Sequence, residues 1–168
     1  MIHETPESGK IKIPLRDSLQ RETLDINRAA ARSMDNRRVL VVEDNCACRE
    51  LMTLVIGKAG YEVVEASTGL EALDQARTAS PALIIMDLGL PGMAGAEAIA
   101  RLKADPFTFN IPVIVNTAYP NGSPLVERAI AAGAAEILYK PNNFSALGET
   151  IQRYLSAEEP GSFLEILR

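Results

Sequence analysis

Five short apolar runs, each followed by a segment with helical spacing, succeed one another from Arg38 onward, and this alternation constrains the fold more than any other feature. Each run is rich in Val and Ile and apolar nearly throughout, as strands are when helices cover both faces of their sheet. Strands that alternate with helices pair in parallel through right-handed crossovers. The pattern therefore predicts an α/β domain with a five-stranded parallel sheet. The runs are 39–44 (VLVVED), 61–66 (YEVVEA), 82–87 (ALIIMD), 111–117 (IPVIVNT) and 136–140 (EILYK).

Amphipathic segments fill the intervals between these runs and predict five helices. Thr68 stands where it can cap the start of the second helix, and Gly133 follows the fourth, over 123–132, at a position that favours glycine. The last helix is predicted to begin near Asn143. Apolar residues at helical spacing are Leu51, Leu54 and Val55 in the first segment, Leu70, Leu73 and Ala76 in the second, Ile99 and Leu102 in 94–103, and Leu147, Ile151 and Leu155 in the last.

The first 36 residues differ from the rest. Residues 1–14 are polar and contain two prolines and a glycine, which predicts a flexible segment, whereas 15–37 carry apolar residues near one helical face. That helix has two interpretations, a solvated linker or a dimerisation or docking helix, and so weak a heptad pattern does not choose between them. The predicted organisation is an N-terminal extension over 1–36, a domain over 37–157, and a tail over 158–168 with the apolar stretch FLEIL.

Charge and composition exclude several function classes. The net charge is −5, with +2 over residues 1–38 and −7 over 39–168, so the acidic domain disfavours a direct nucleic-acid partner. No apolar run approaches the roughly 20 residues that span a bilayer, and the N-terminus lacks a secretory signal, which predicts a cytoplasmic protein without membrane insertion. His3 is the only histidine, so serine–histidine and cysteine–histidine catalysis within the domain is excluded. Cys46 and Cys48 are too close in sequence for an unstrained disulfide, and ordinary packing is favoured over a redox role.

Polar side chains stand at the ends of four of the five predicted strands: Glu43 and Asp44, Asp87, Thr117, and Lys140. Ligands of open parallel sheets bind beyond the carboxyl ends of the strands, where the connections reverse direction. If the strand order is the doubly wound 2-1-3-4-5, these residues line one pocket, and the second strand, ending at Glu65-Ala66 without a candidate, is the outer edge. A single aspartate at a strand end is more often a helix cap or a solvated turn residue, so the prediction rests on the joint pattern.

These residue types together predict phosphoryl chemistry. Three clustered carboxylates raise one another's pKa, and Mg²⁺ relieves this because it binds through few carboxylates and retains water ligands. Asp87 would then stay ionised and attack a phosphoryl group in line, while the metal and Lys140 offset the charge on the transferred oxygens. Thr117 would donate a hydrogen bond to a phosphoryl oxygen.

Four segments resemble the receiver domains of two-component response regulators. LVVEDN is similar to the first strand and acidic pair of that family, IIMDLGLPGMAG to its phospho-acceptor segment, VIVNTAY to the segment with the hydroxyl residue, and ILYKP to the segment with the Lys-Pro pair. The resemblance covers about residues 37–157, and the order and spacing of the four motifs make it specific. It implies the flavodoxin-like receiver fold with strand order 2-1-3-4-5.

The resemblance also implies roles for individual residues. Asp87 would be the phospho-acceptor, and Thr117 and Lys140 would contact the phosphoryl group. Mg²⁺ would be bound directly by Asp44 and Asp87, mainly through water by Glu43, and by the backbone carbonyl of Gly89. A cis peptide bond is expected between Lys140 and Pro141.

The sequence departs from the family in its switch residue. Many receivers carry an aromatic residue three positions before the lysine, where this chain has Ile137. The aromatic residue here is Tyr139, which directly precedes Lys140 and lies on the same side of the strand as Ile137. Output coupling is therefore predicted to use Tyr139 or no aromatic residue. Gly89 and Tyr119 occupy the two positions that influence acyl-phosphate hydrolysis in the family, and the bulk of Tyr119 predicts slow self-dephosphorylation.

The resemblance implies phosphorelay signalling. A histidine kinase or a histidine phosphotransfer protein would donate the phosphoryl group, and output would be altered contact with an unknown downstream protein. The sequence also leaves open a homodimer through the N-terminal helix or through the fourth helix, fifth strand and fifth helix. The protein would not be an enzyme beyond limited self-phosphorylation and self-dephosphorylation. A phosphorylation-independent pseudo-receiver scaffold is the alternative. A Mg²⁺-dependent aspartyl-phosphate phosphatase is disfavoured because Gly89 stands where that class needs a second aspartate.

Overall fold

The computed structural model of the chain describes residues 37–141 and 144–156, with the backbone but not the side chain of Phe144. The predicted features of residues 1–36 and of the tail over 158–168 lie outside the described residues. Five strands are present: β1 (Arg38–Val42), β2 (Glu62–Ala66), β3 (Leu83–Met86), β4 (Val113–Thr117) and β5 (Glu136–Tyr139). The helices between and after them are α1 (Cys46–Lys58), α2 (Gly69–Ala79), α3 (Gly95–Ala104), α4 (Pro124–Ala131) and α5 (Phe144–Leu155).

All five strands are parallel and lie in the order β2-β1-β3-β4-β5. This confirms the predicted doubly wound sheet. Its central strands are buried on both faces, so Val39 to Val42 and Leu83 to Met86 are at most 1% exposed. Burial on both faces explains why the runs are continuously apolar rather than alternating.

The sheet separates two apolar clusters. On one face, Leu40, Ile84 and Val115 pack with residues of α2, α3 and α4, including Ile99. On the other, strand residues such as Ile85 pack with α1 and α5. Removing each fully buried Leu or Ile side chain from water contributes about 1.5–3 kcal/mol to folding. The two clusters therefore hold the strand ends, and the residues that follow them, in a fixed arrangement.

The predicted helix signals are present at the residues expected. The Thr68 side chain accepts a hydrogen bond from Glu71 N at the start of α2. Gly133, which follows the end of α4, has a φ of 102°, a conformation that favours glycine. Ile99, Leu102, Leu147 and Ile151 are all buried, as their spacing predicts.

The apolar spacing marks the buried faces of the first two helices only in part, since Ala76 is buried and Leu73 packs against the core while three of the predicted leucines are exposed. Leu51 and Leu54 are exposed, and α1 instead buries Met52 and Ile56, one turn apart. In α2 the buried residues are Gly69, Ala72 and Ala76, while Leu70 is 64% exposed. The buried stripe of α2 thus consists of small residues, which allow a helix to pack closely. The positions of the leucines do not reveal this stripe. Within the described part of the chain, no helix is long and apolar enough to cross a membrane.

Candidate functional site

The polar residues of the strand ends lie together at the carboxyl edge of the sheet. Glu43 and Asp44 belong to the β1–α1 connection, and Asp87 directly follows β3. Three of the strands end one or two residues earlier than predicted. Backbone hydrogen bonds between neighbouring strands nevertheless continue beyond these ends. Glu43 N donates to Ala66 O at 3.1 Å, and Asp87 N donates to Val42 O at 3.0 Å. These bonds hold the backbone of the acidic residues against the sheet.

Three carboxylates form a cluster at this edge. One oxygen each of Glu43, Asp44 and Asp87 lies within 4.8 Å of the others. Glu43 is buried, Asp87 is partly buried and Asp44 is exposed, so the cluster opens to solvent on one side. A donor set made of oxygens suits a hard divalent cation such as Mg²⁺, which keeps part of its water shell. The residues therefore fit the predicted metal.

The ammonium group of Lys140 lies between two of these carboxylates. Its Nζ donates to Glu43 Oε2 at 2.6 Å and to Asp87 Oδ2 at 3.1 Å. Burial lowers the pKa of Lys140, but the hydrogen bond to Glu43 and the negative charge of Asp87 outweigh that effect and raise the pKa above its ordinary value. Lys140 is therefore charged at neutral pH and offsets part of the repulsion within the acidic cluster.

Asp87 is oriented by contacts to both of its oxygens. Oδ1 accepts hydrogen bonds from the backbone N–H groups of Leu88, at 2.6 Å, and Gly89, at 3.4 Å, while Oδ2 accepts from Lys140. The side chain is 13% exposed. A carboxylate held in this way by amide donors and an ammonium group presents one orientation to a ligand that approaches from solvent.

Thr117 and Lys140 are joined through the backbone. Lys140 N donates to Thr117 O at 2.7 Å, and the peptide bond between Lys140 and Pro141 is cis, as the resemblance implies. Thr117 is fully buried, and its hydroxyl oxygen accepts a hydrogen bond from Tyr119 N at 3.2 Å. The hydroxyl residue and the lysine therefore lie on paired strand ends.

Two tyrosines flank this edge of the sheet. A Cβ placed on Gly89 would lie 3.6 Å from Tyr119 Cε2, so the Tyr119 ring packs over the loop that follows Asp87. The Tyr139 hydroxyl donates to Asn121 Oδ1 at 3.1 Å in the β4–α4 connection. Ile137 packs into the cluster on the α4 face of the sheet and is partly buried. Tyr139, in contrast, is 38% exposed.

Comparison with known proteins identifies the family. The response regulator receiver domain profile matches residues 39–152, more than half of the chain. The chain belongs to the response regulator receiver family. Sporulation initiation phosphotransferase F of Bacillus subtilis is 33% identical over 122 residues, which cover 73% of this receiver chain and 96% of the relative. The polar-differentiation response regulator DivK of Brucella ovis is 39% identical over 119 residues, with 71% and 96% covered.

Solved receiver structures share the fold. The receiver domain of the sensor histidine kinase PA1611 from Pseudomonas aeruginosa, determined with magnesium coordinated in its active-site cleft, has a TM-score of 0.67 at 27% identity and covers 71% of this chain and 98% of its own. The chemotaxis response regulator CheY4 of Vibrio cholerae has a TM-score of 0.64 at 33% identity, with 70% and 97% covered. The predicted family and fold class are both confirmed.

Sequence reasoning missed two supports of the receiver site. Gly95 lies against the backbone of Asp87 and Leu88 so closely that a side chain there would collide with it. Arg49 donates to the carbonyl of Glu43, and Glu65, at the edge strand without a predicted candidate, accepts from Arg49. The only sequence signal for Gly95 is its place in the turn after Asp87, and nothing in the spacing marks the other pair.

The packing role predicted for the cysteines is wrong. Both Cys46 and Cys48 are exposed at the start of α1. The Cys46 thiol donates to Glu50 Oε1 at 3.1 Å, and this hydrogen bond is the main cause of a raised pKa at Cys46. Residues 45–48 are all exposed, so the first turn of α1 does not pack into the core.

Proposed function

We propose that this receiver accepts a phosphoryl group on Asp87 from a histidine kinase or a histidine phosphotransfer protein, in a Mg²⁺-dependent reaction, and signals through altered protein contacts. The observation that carries the proposal is the convergence of the Glu43, Asp44 and Asp87 carboxylates with the Lys140 ammonium group. The name of the Bacillus relative, a phosphotransferase, and the magnesium in the Pseudomonas receiver support it.

In the proposed reaction, a carboxylate oxygen of Asp87 attacks the phosphorus atom in line as the bond from phosphorus to the donor breaks. The donor leaves with the electron pair of that bond, and Asp87 becomes an acyl phosphate. Lys140, already within hydrogen-bond distance of Asp87, would transfer its contact to a phosphoryl oxygen. The Thr117 hydroxyl would donate a hydrogen bond to another phosphoryl oxygen.

The metal site would use the acidic residues. Asp44, Asp87 and the carbonyl of Gly89 would bind Mg²⁺ directly, and Glu43 would contact it mainly through water. When bound, the ion supplies positive charge that offsets both the crowded carboxylates and the negative oxygens of the transferring group.

Phosphorylation would shift the receiver between two conformations that both exist beforehand. The surface that changes would comprise α4, β5 and α5, which adjoin Thr117 and Lys140 along the chain. The protein would catalyse only the formation and the hydrolysis of its own acyl phosphate. A phosphatase mechanism is disfavoured because Gly89 supplies neither an acid nor a base. We also propose that the receiver domain spans residues 37–157.

Intact-mass spectrometry of the full chain after incubation with acetyl phosphate and Mg²⁺ tests this proposal. We expect one added phosphoryl group of about 80 Da, which requires Mg²⁺ and is absent in Asp87→Asn. A Mg²⁺-independent adduct, or an adduct that persists in Asp87→Asn, would contradict it. If no adduct forms, beryllofluoride binding distinguishes a receiver that accepts only its cognate donor from a pseudo-receiver scaffold, which would not bind beryllofluoride.

We propose that Tyr139 couples the phosphorylation site to the output surface, because Ile137 occupies the position where many receivers carry an aromatic residue. Its hydrogen bond to Asn121 connects β5 with the loop that follows Thr117. We expect Tyr139→Ala to reduce the methyl chemical-shift changes that beryllofluoride causes at Ile130 and Leu125 of α4, measured by NMR. Ile137→Val serves as a control for packing on the same face of β5. Shift changes of wild-type size in Tyr139→Ala would refute the coupling role.

A further inference from the structure

Arg49 joins three parts of the receiver through one guanidinium group. Its Nη1 donates to the backbone carbonyl of Glu43 at 2.7 Å, and its Nε donates to Glu65 Oε2 at 3.1 Å. The other oxygen of Glu65 accepts from Thr53 Oγ1 at 2.9 Å. The Arg49 side chain is only 17% exposed although it lies on a surface helix. The planar group is therefore held between α1, the end of β2 and the β1–α1 connection.

The bond to the Glu43 carbonyl bears on Asp44. That carbonyl belongs to the peptide unit that Glu43 shares with Asp44, and a peptide unit is planar. Fixing the carbonyl direction therefore limits the rotation of the chain on both sides of the unit and sets where the Asp44 side chain emerges.

Asp44 depends on its backbone more than the other two acidic residues do. The Glu43 and Asp87 carboxylates accept hydrogen bonds from Lys140 and from backbone amides. Among the residues that the structure describes, the exposed Asp44 carboxylate forms neither a hydrogen bond nor an ion pair. Its place in the cluster is thus set by the peptide that Arg49 holds.

We propose that Arg49 is a positioning residue of the metal site, which holds Asp44 in the orientation that binds Mg²⁺, with Glu65 orienting the guanidinium group. This inference rests on the proposed function, since it concerns the same carboxylates. Groups that orient metal ligands affect metal affinity by about 10–100-fold. An arginine serves here because its fork of donors reaches two acceptors at once, whereas a lysine is a single point charge.

Charge and geometry predict opposite effects of removing Arg49. A nearby positive charge repels a cation, so its loss alone would strengthen Mg²⁺ binding. Loss of positioning would weaken it. The direction of the change in Mg²⁺ affinity therefore separates the two effects without any measurement of phosphorylation.

The test titrates MgCl₂ into the unphosphorylated full chain and follows backbone amide shifts by NMR. We expect Arg49→Met to raise the Mg²⁺ dissociation constant by about 10-fold and Arg49→Lys to give an intermediate value, because its ammonium group can restore one of the two contacts. Arg101→Met is the matched control, since Arg101 is 53% exposed and pairs with Glu97 on α3. It should bind Mg²⁺ like the wild type.

The outcomes separate this inference from the proposed function. If the wild type does not bind Mg²⁺, the proposed metal requirement and the role of Arg49 both fail. If the wild type binds while Arg49→Met and Arg49→Lys bind equally or more tightly, only the role of Arg49 is overturned. A lower melting temperature in EDTA with an unchanged dissociation constant would also overturn it, since Arg49 would then only stabilise the fold. Should Arg49→Met not fold, the Arg49→Lys titration decides.

Discussion

Backbone contacts at single residues, as well as charged side chains, position the receiver site. Gly95 N donates to Leu88 O at 3.1 Å, and a Cβ on Gly95 would lie 2.9 Å from Leu88 Cα and closer still to Asp87 O. Only glycine lets the start of α3 approach the Asp87 backbone in this way. The orientation of the proposed phospho-acceptor therefore depends on a residue with no chemistry of its own.

Replacing Gly95 with alanine tests this dependence. Because backbone atoms must move to accommodate the methyl group, we expect Gly95→Ala to lower the free energy of unfolding by about 1–3 kcal/mol and to slow phosphorylation by acetyl phosphate. Urea denaturation and intact-mass spectrometry measure the two effects. Gly57→Ala, at an α1 position with no heavy atom within 4 Å of the added Cβ, should instead stabilise by up to about 1 kcal/mol. Similar effects of the two variants would contradict the argument.

Tyr119 is the residue expected to control the lifetime of the phosphorylated state. Its ring packs over Gly89, beside the approach to Asp87. By limiting the access of water to an acyl phosphate, it should slow hydrolysis, so we expect a long-lived phosphorylated wild type and a lifetime several-fold shorter in Tyr119→Ala. Loss of the phosphoryl mass over time gives both rates. A wild-type lifetime of only seconds would be inconsistent with this role.

At the scale of the helices and strands, a group of polar contacts away from the acidic cluster stabilises the connection from α3 to β4. Asp105 accepts hydrogen bonds from Phe107 N and from Arg77 of α2. The Lys103 ammonium group donates to the carbonyls of Phe109 and Ile111, and its partial burial lowers its pKa. These contacts stabilise the C-terminal end of α3. The N-terminal end of the same helix contacts the backbone of Asp87 through Gly95.

Asp105 should make the free energy of unfolding depend on pH in the acid range. The hydrogen bond from Phe107 N, followed by that from Arg77, lowers the pKa of Asp105 below its ordinary value. The stabilisation is therefore present above the unfolded-state pKa of roughly 3.9 and is lost as pH falls through the lower folded-state pKa. We expect Asp105→Asn to be less stable than the wild type at pH 7, with the difference shrinking below about pH 4 in urea denaturation. Glu97→Gln, in an exposed ion pair of α3, is the control. A difference that stays constant with pH would exclude the charge as its source.

At the scale of the whole molecule, the sheet places the acidic cluster and Lys140 at its carboxyl edge and leaves α4, β5 and α5 as the surface of proposed output. That surface exposes apolar groups, including 49% of Ile130. A partner protein or a second copy of the chain would bury such groups on binding and would in this way detect the proposed phosphorylation.

We propose that the activated chain forms a homodimer through this surface. Sedimentation of the full chain with Mg²⁺ and beryllofluoride should show more dimer than without them, and Ile130→Ser should lower the dimer fraction. Leu54→Ser, at an exposed leucine of α1, should leave it unchanged. If dimerisation survives Ile130→Ser but is lost when residues 1–36 are removed, the N-terminal segment forms the interface instead.

The sequence by itself determined the fold class, the order of the elements and the residues at the strand ends. Continuous apolar runs identify strands buried on both faces, and the carboxyl ends of parallel strands meet at one edge whatever the side-chain details. The sequence alone therefore predicts that Asp87 and Lys140 lie near one another. Local signals such as Thr68 and Gly133 were also sufficient, because they act within one turn of helix.

Only the tertiary structure decided which side chains meet across elements. The contact of Arg49 with Glu65 and the Glu43 carbonyl, and the approach of Gly95 to Asp87, join residues whose spacing carries no periodic signal. It also decided that Met52 rather than Leu51 faces the sheet and that Cys46 faces solvent. A helix rotated about its axis can bury a similar apolar area in several orientations. Close packing against one particular sheet surface selects one of these orientations.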